Sequence, residues 1–279
     1  MLVLDSIQAV QTQVRQWESN SKRIGLVPTM GALHDGHLAL VKHISEHCDI
    51  VLVSIFVNPS QFGPNEDLTR YPRTLERDID ALKQVAATAV FCPSPQDIYP
   101  EGHLRATSIH IPELSDLYCG HSRPGHFDGV CSVVTRLLLL TRASVAIFGE
   151  KDFQQLQLIK RMCKDLFIHC DILSHPIVRE ASGLALSSRN AYLSPSEKSS
   201  AASIYAALSA CNHAYLAGQT SADALLQLFS EQLSNTLQLE YAAIVDPNTL
   251  KAVSQVKATH RLLTAVQLGS TRLIDNIAF

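Results

Sequence analysis

No stretch of this 279-residue chain approaches the roughly 20 consecutive apolar residues that a membrane-crossing helix needs. The strongest apolar run, "LLLL" at 137–140, stands between Arg136 and Arg142. Blocks of like charge are also missing, and the formal net charge is only −3. That balance argues against a broad, sequence-independent nucleic-acid surface, which would need clustered Lys and Arg to neutralise phosphates. It leaves room for a local basic pocket that takes a small anion. The seven cysteines (48, 92, 119, 131, 163, 170 and 211) are odd in number and include no C-x-x-C pair. They read as free thiols in a reduced, intracellular compartment rather than as a disulfide framework. The start, "MLVLDSIQAV", has no basic segment ahead of its apolar residues and carries Asp5, so it does not read as a signal peptide. No internal repeat or low-complexity linker breaks the chain. A cytoplasmic protein with neither membrane nor nucleic-acid partners is the expectation.

What is present is ordinary globular material, 46% hydrophobic and 18% charged, enough for one large domain or two modest ones. "RIGLVPT" and "DIVLVSIFVN" read as buried strands, and residues 37–47 between them place Leu40, Val41 and Ile44 on one helical side. "TAVFCP", "ASVAIFGE" and "IHCDILSHP" are further strand candidates, each beside helix-compatible sequence. Continuous apolar strands separated by helices indicate a parallel sheet covered on both faces. Residues 1–181 are therefore expected to form a doubly wound, Rossmann-like α/β domain, with ligands beyond the carboxyl ends of its strands. Beyond it, "SPSE" offers a capping box, Ser194 with Glu197, and Pro195 in the first helical position. Helical stretches at roughly 196–217 and 221–237 follow, then strand-like "LEYAAIVD", "HRLLTAVQLG" and "RLIDNIAF". Residues 182–279 read as a smaller α+β domain.

The chemistry starts in "LVPTMGALHDGHLALVKHI", residues 26–44, where a strand ends near Thr29 and a helix is expected from about His37. Gly31 and Gly36 let backbone approach a ligand, and a helix N-terminus presents unpaired N–H groups to an anion. The G-x-x-x-x-G spacing resembles a phosphate loop, but His37 stands where the Walker lysine would be. His34 and His37 supply two donors beside the same dipole end, an arrangement that suits a nucleotide triphosphate. Two histidines in a solvated polar loop are the plain alternative. His43 and His47, one turn apart, are either surface residues or a weak metal pair, with no matching Cys, Asp or Glu set to complete a site.

Three further segments stand out. In "FGEKDFQQLQLIKRM" Lys151 sits at a helix start as a point charge for a phosphate, although Asp152 and Gln155 also fit a D-x-x-Q capping box. "GLALSSRNAYLSPSE" reads as a phosphate clamp or as a polar loop between domains. "SIFVNPSQFGPNEDLTRYPRT" puts Asn58 and Gln61 near a strand exit, where amides orient a polar substrate or simply build turns.

"PTMGALHDGH", "VSIFVNPSQF", "RYPRTLERD", "SRPGHFDGV", "FGEKDFQQL" and "GLALSSRNAYL" occur in this order, and together they closely resemble the pantothenate synthetase (pantoate–β-alanine ligase) family. H-x-G-H alone supports only the wider nucleotidyltransferase superfamily; "GEKDFQQL" with "SSRN" narrows it. The resemblance runs from the first strand to "RLIDN" and implies ATP-dependent joining of pantoate to β-alanine through a pantoyl adenylate, releasing pyrophosphate and AMP. It assigns ATP to Met30, Gly31, Ala32, Leu33, His34, Asp35, Gly36 and His37, with His37 a proton donor. It adds Gly149, Glu150, Lys151 and Asp152, then Leu186, Ser187, Ser188 and Arg189, with Val178 contacting adenine through its backbone. The groups expected to act in catalysis are His34, His37, Lys151 and Arg189. Gln61 and Gln155 match the glutamines that hold pantoate, Gln61 borders β-alanine as well, and Asn58 and Tyr71 are secondary candidates. The resemblance also implies Mg²⁺ carried with the triphosphate, a homodimer and a C-terminal domain acting as a lid, and no protein metal ligand is assigned. Asp128 stands where other members carry Arg or a small residue, so it is left outside the site. Two other readings make different demands. An adenylyltransferase that hands AMP to a phosphate acceptor needs no Gln61–Gln155 pair, and a regulatory nucleotide-binding module binds ATP without releasing pyrophosphate.

Overall fold

The computed structural model describes residues 1–64 and 66–279. In chain order the elements are β1 (Leu2–Leu4), α1 (Ile7–Ser19), β2 (Ile24–Thr29), α2 (Asp35–Ile44), β3 (Ile50–Ile55), α3 (Leu75–Lys83), β4 (Ala89–Phe91), α4 (Pro95–Ile98), α5 (Cys119–Ser122) and α6 (His126–Thr141). They continue with β5 (Val145–Gly149), α7 (Phe153–Asp165), β6 (Asp171–His175), α8 (Pro195–Leu216), α9 (Ala222–Gln232), β7 (Gln238–Val245), β8 (Arg261–Leu268) and β9 (Thr271–Ala278). The chain separates into two compact units, Met1–Glu150 with Leu158–Pro176, and Lys151–Gln157 with Ile177–Phe279.

The first unit is built on a six-stranded sheet in the order β1-β4-β3-β2-β5-β6, every pair parallel. Its four central strands, β4, β3, β2 and β5, are apolar on both faces, as a sheet covered twice requires. Val27, Val51, Val53, Val145 and Ile147 pack with Leu40, Val41 and Ile44 of α2 and Leu82 of α3. Leu26, Leu52 and Ala146 alternate to the opposite face and are just as buried, and α6 lies against β2 with α1 beside it. From β2 the chain moves to β3 on one side and later to β5 on the other, so the strand order reverses at β2. Loops leaving the carboxyl ends there are the expected ligand position of an open α/β sheet.

The second unit carries the antiparallel sheet β7-β8-β9, covered by α8 and α9 around a core that includes Ile204, Leu208, Leu225, Phe229, Leu262 and Val266. Ser194 caps α8 as the sequence predicts, exchanging bonds with Glu197, with Pro195 in the first helical position. Two differences concern the first unit. Helix α2 starts at Asp35, earlier than expected, because extended His34 (φ −135°, ψ 174°) takes the cap position and Asp35 sets a carboxylate in the first turn. The short strand β1 and helix α1 had no expectation attached; β1 exists through its pairing with β4.

Candidate active site

The loop after β2 is held in an unusual shape. Gly31 and Ala32 both have positive φ, 79° and 49°, a region that costs a non-glycine residue about 1 kcal/mol. What holds it is Asp78, from the buried side of α3, which is 1% exposed. Its carboxylate accepts from Ala32 N (2.8 Å) and Leu33 N (2.9 Å), and Thr74 Oγ1 donates to it (3.1 Å). A Cβ at Gly31 would lie 3.1 Å from that same carboxylate. Asp78 was not singled out from the sequence. The signal was a charged residue four before Leu82 on an otherwise apolar helix face, where a carboxylate is buried only if N–H groups meet it.

From this loop, His34 and His37 bring their rings together at a tilt of 31°, centroids 4.0 Å apart. The His34 main-chain N–H donates to His37 Nδ1 at 3.3 Å. With Nδ1 accepting, the proton of the neutral His37 ring sits on Nε2, so the outer nitrogen is the donor. Around the same sheet edge, Gly149 ends β5 beside His175, and Ser174 donates to Glu150 Oε1 (3.0 Å). Gln61 closes a 3₁₀ turn, Pro59–Gln61, capped by Asn58 at the end of β3. Tyr71 is buried against Phe62, ring centroids 6.0 Å apart.

His43 meets His47 one turn away, edge-on, with ring centroids 5.5 Å apart. Its Nδ1 lies 3.1 Å from Nδ1 of His175, while His47 is exposed. Burial, and the neighbouring His43, hold His175 below the ordinary imidazole value. Among the described residues no three His, Cys, Asp or Glu side chains gather as a metal cage. Asp128 pairs with His110 (3.0 Å), which also meets Asp116 (3.3 Å).

In the second unit Lys151 lies in the 3₁₀ turn Glu150–Asp152 that leads into α7. Its carbonyl accepts from Asn276 Nδ2 (3.0 Å), and the neighbouring Asp275 receives Arg179 through two bonds, 2.6 and 2.9 Å. Burial pushes the Asp275 carboxyl up while the Arg179 guanidinium pulls it down. The D-x-x-Q capping box, the structural alternative for Asp152 and Gln155, is not formed. Asp152 sits inside the 3₁₀ turn, its carboxylate faces Lys151 Nζ at 3.9 Å, and among the described residues no bond joins its side chain to Gln155. Gln155 lies half-buried in the first turn of α7.

Residues 178–186 fold back on themselves: Leu186 N donates to Val178 O (2.9 Å) and Glu180 N to Leu184 O (2.8 Å). Ser187 then caps a 3₁₀ turn, Ser188–Tyr192, by accepting from Arg189 N. Buried Asn190 pins this turn through Ala185 O (3.1 Å) and Glu180 Oε1 (3.2 Å). Met30 to His37, Gly149, Glu150 and Gln61 thus belong to the first unit, and Lys151, Asp152, Gln155, Val178 and Leu186 to Arg189 to the second. Five of the seven thiols are poor nucleophiles. Burial pushes Cys131 and Cys170 up to about 12, and Cys92, Cys163 and Cys211 up to about 11.

The family model described as pantoate-beta-alanine ligase matches residues 2–278. A pantothenate synthetase of Marinobacter nauticus is 45% identical over 279 residues, covering 100% of this chain and 99% of its own. One from Alteromonas mediterranea is 46% identical, with 99% of both chains covered. Among solved structures, pantothenate synthetase from Thermus thermophilus superposes with a TM-score of 0.94 at 40% identity, covering 100% of this chain and 99% of that one. A Francisella tularensis pantoate-beta-alanine ligase, complexed with beta-gamma ATP and beta-alanine, gives 0.81 at 36% identity, covering 100% and 97%.

Proposed function

The chain belongs to the pantoate-beta-alanine ligase family, and on that premise we propose how its own residues perform the reaction. It is an ATP-dependent ligase that condenses pantoate with β-alanine to give pantothenate. A carboxylate does not acylate an amine at neutral pH, because its leaving group is too poor. Activation as pantoyl adenylate, with release of pyrophosphate, solves this, and burial holds Cys92, Cys131, Cys163, Cys170 and Cys211 away from the thiolate that an acyl-enzyme would need.

One observation carries the reading: an H-x-G-H loop beyond β2, at the reversal of strand order, with His37 locked so that Nε2 is a donor. Attack on the α-phosphorus moves negative charge onto the phosphoryl oxygens and the departing pyrophosphate. A preorganised donor there stabilises the transition state more than the ground state. His34 and His37 take this role, and Met30, Gly31, Ala32, Leu33, Asp35 and Gly36 form the phosphate-facing loop, whose Ala32 and Leu33 N–H groups are already held by Asp78. Lys151 and Arg189 add fixed positive charge; Gly149, Glu150, Asp152, Val178, Leu186, Ser187 and Ser188 complete the nucleotide set. Gln61 and Gln155 hold pantoate, and Gln61 borders β-alanine.

Mg²⁺ enters with the triphosphate in this reading. Among the described residues no donor set forms a cage, so phosphate oxygens and water would be its ligands, and no step here runs through a protein-held ion. A homodimer, a cytoplasmic location and a lid role for residues 182–279 belong to the same proposal. No helix of the described residues is long and apolar enough to cross a membrane. The test is isotope exchange. Labelled pyrophosphate should enter ATP with pantoate and Mg²⁺ present and β-alanine absent. Exchange that requires β-alanine overturns the adenylate-first order, and exchange without either acid or amine points to an adenylylated enzyme.

A further inference from the structure

In the turn after β3 the orientation of the Asn58 amide is set by two partners whose roles are obligatory. The main-chain N–H of Ser60 can only donate, and it donates to Asn58 Oδ1 (3.3 Å). The carbonyl of Gly129 can only accept, and it accepts from Asn58 Nδ2 (3.2 Å). These two obligatory partners determine which end of the Asn58 amide is oxygen and which is nitrogen. Tyr99 Oη donates to the same Oδ1 (2.8 Å), and the Ser60 hydroxyl lies 2.9 Å from it. Asn58 and Tyr99 are both buried, 1% and 3% exposed, so water does not substitute readily for any of these bonds. The framework is also close-packed. A Cβ at Gly129 would collide with the carbonyl of Ser60 and stand 2.7 Å from the amide nitrogen of Gln61.

Asn58 has one N–H left, and it reaches Gln61 Oε1 at 3.0 Å. Since Asn58 gives a proton there, the Gln61 atom that faces it is oxygen, and the Gln61 NH₂ is turned outward. Among the described residues nothing accepts from that NH₂. The backbone of Gln61 is held as well, its carbonyl accepting from His126 Nδ1 (2.8 Å) and from Arg123 (3.4 Å), which Glu66 grips in turn. We infer that Asn58 is a positioning residue that sets the amide of Gln61, so that position 61 meets its substrate only as a donor. The group it takes is then an acceptor oxygen of the acid, and an amine or other donor in that place is refused. This rests on the reading that Gln61 holds pantoate, and narrows it to the sense of the hydrogen bond.

The experiment is a pair of double-mutant cycles read by steady-state kinetics, with folding checked by thermal melting. In Asn58→Asp no proton is given to Gln61, its amide turns over, and Oε1 faces the acid oxygen. The pantoate KM should rise on the order of tenfold or more, and ATP KM should hold within about twofold. Asn58→Ala frees the amide without reversing it and should raise the pantoate KM less. In a Gln61→Ala background both substitutions should change the pantoate KM by less than about twofold, because the group they act through is gone. Undiminished effects in that background overturn the inference, as does Asn58→Ala being the more harmful variant. If Asn58→Asp does not fold, the Asn58→Ala cycle decides by the same criterion. A pantoate KM unchanged by Gln61→Ala alone overturns the reading of Gln61 itself, a separate and recognisable failure.

Discussion

His37 shows how much a single side chain here depends on one backbone bond. Because Nδ1 accepts from the His34 N–H, the ring is held as a donor through Nε2 at the start of α2. His37→Ala is expected to lower kcat ~100-fold or more and leave the pantoate KM nearly unchanged, as for loss of one preorganised donor. Turnover close to normal would remove His37 from the mechanism. Gln155 is the complementary case. Its side chain makes no capping bond to Asp152, so Gln155→Ala should leave the melting temperature in place and raise the pantoate KM. A loss of about 1 kcal/mol in stability with unchanged KM would instead mark it as a cap. Melting curves beside pantoate titrations separate the two.

Elements act on the site through their buried faces. Helix α3 lies against the sheet through Leu82, yet it spends one inward position on Asp78 to hold the loop of Gly31 to Leu33. Asp78→Ala leaves two N–H groups of a partly buried loop without their acceptor, which costs on the order of 1–3 kcal/mol. It also releases the backbone at Ala32 from its positive φ. Denaturant unfolding should register the loss of stability, and the ATP KM should rise, since the phosphate-facing loop relaxes. An unchanged ATP KM with lowered stability would confine Asp78 to a folding role.

At the scale of the whole molecule, one cluster ties stability to pH. The hydrogen bond that His110 donates to Asp128 raises its imidazole above the ordinary value, and Asp116 adds to it. A raised histidine is stabilising in its protonated form, so the contribution is present below the ordinary imidazole range and disappears as pH rises through the raised value. The group is well exposed, which keeps the effect small. The melting temperatures of the wild type and Asp128→Asn should therefore differ at about pH 5 and converge by about pH 9. A gap that widens with pH would reverse the assignment. Asp128, left out of the site on sequence grounds, has its partner in His110.

Much of this was legible along the chain because the determining forces are local. Apolar runs of strand length between helix-compatible segments determined the α/β class, and "SPSE" determined the start of α8, since a cap is a matter of four consecutive residues. The order of motifs likewise determined the family and the residues proposed for ATP and pantoate. Tertiary structure alone decided the rest. β1 is three residues long and carries no periodicity; it is a strand because β4 pairs with it. The D-x-x-Q pattern matched a cap, but the chain enters α7 through a 3₁₀ turn, and the pattern went unused. Asp78, Asn58 and Tyr99 acquire their roles from Ala32, Gly129 and each other, partners remote in sequence. A buried polar group takes whichever donor or acceptor the packing of the sheet and helices brings within about 3 Å, and no stretch of neighbouring residues encodes that partner.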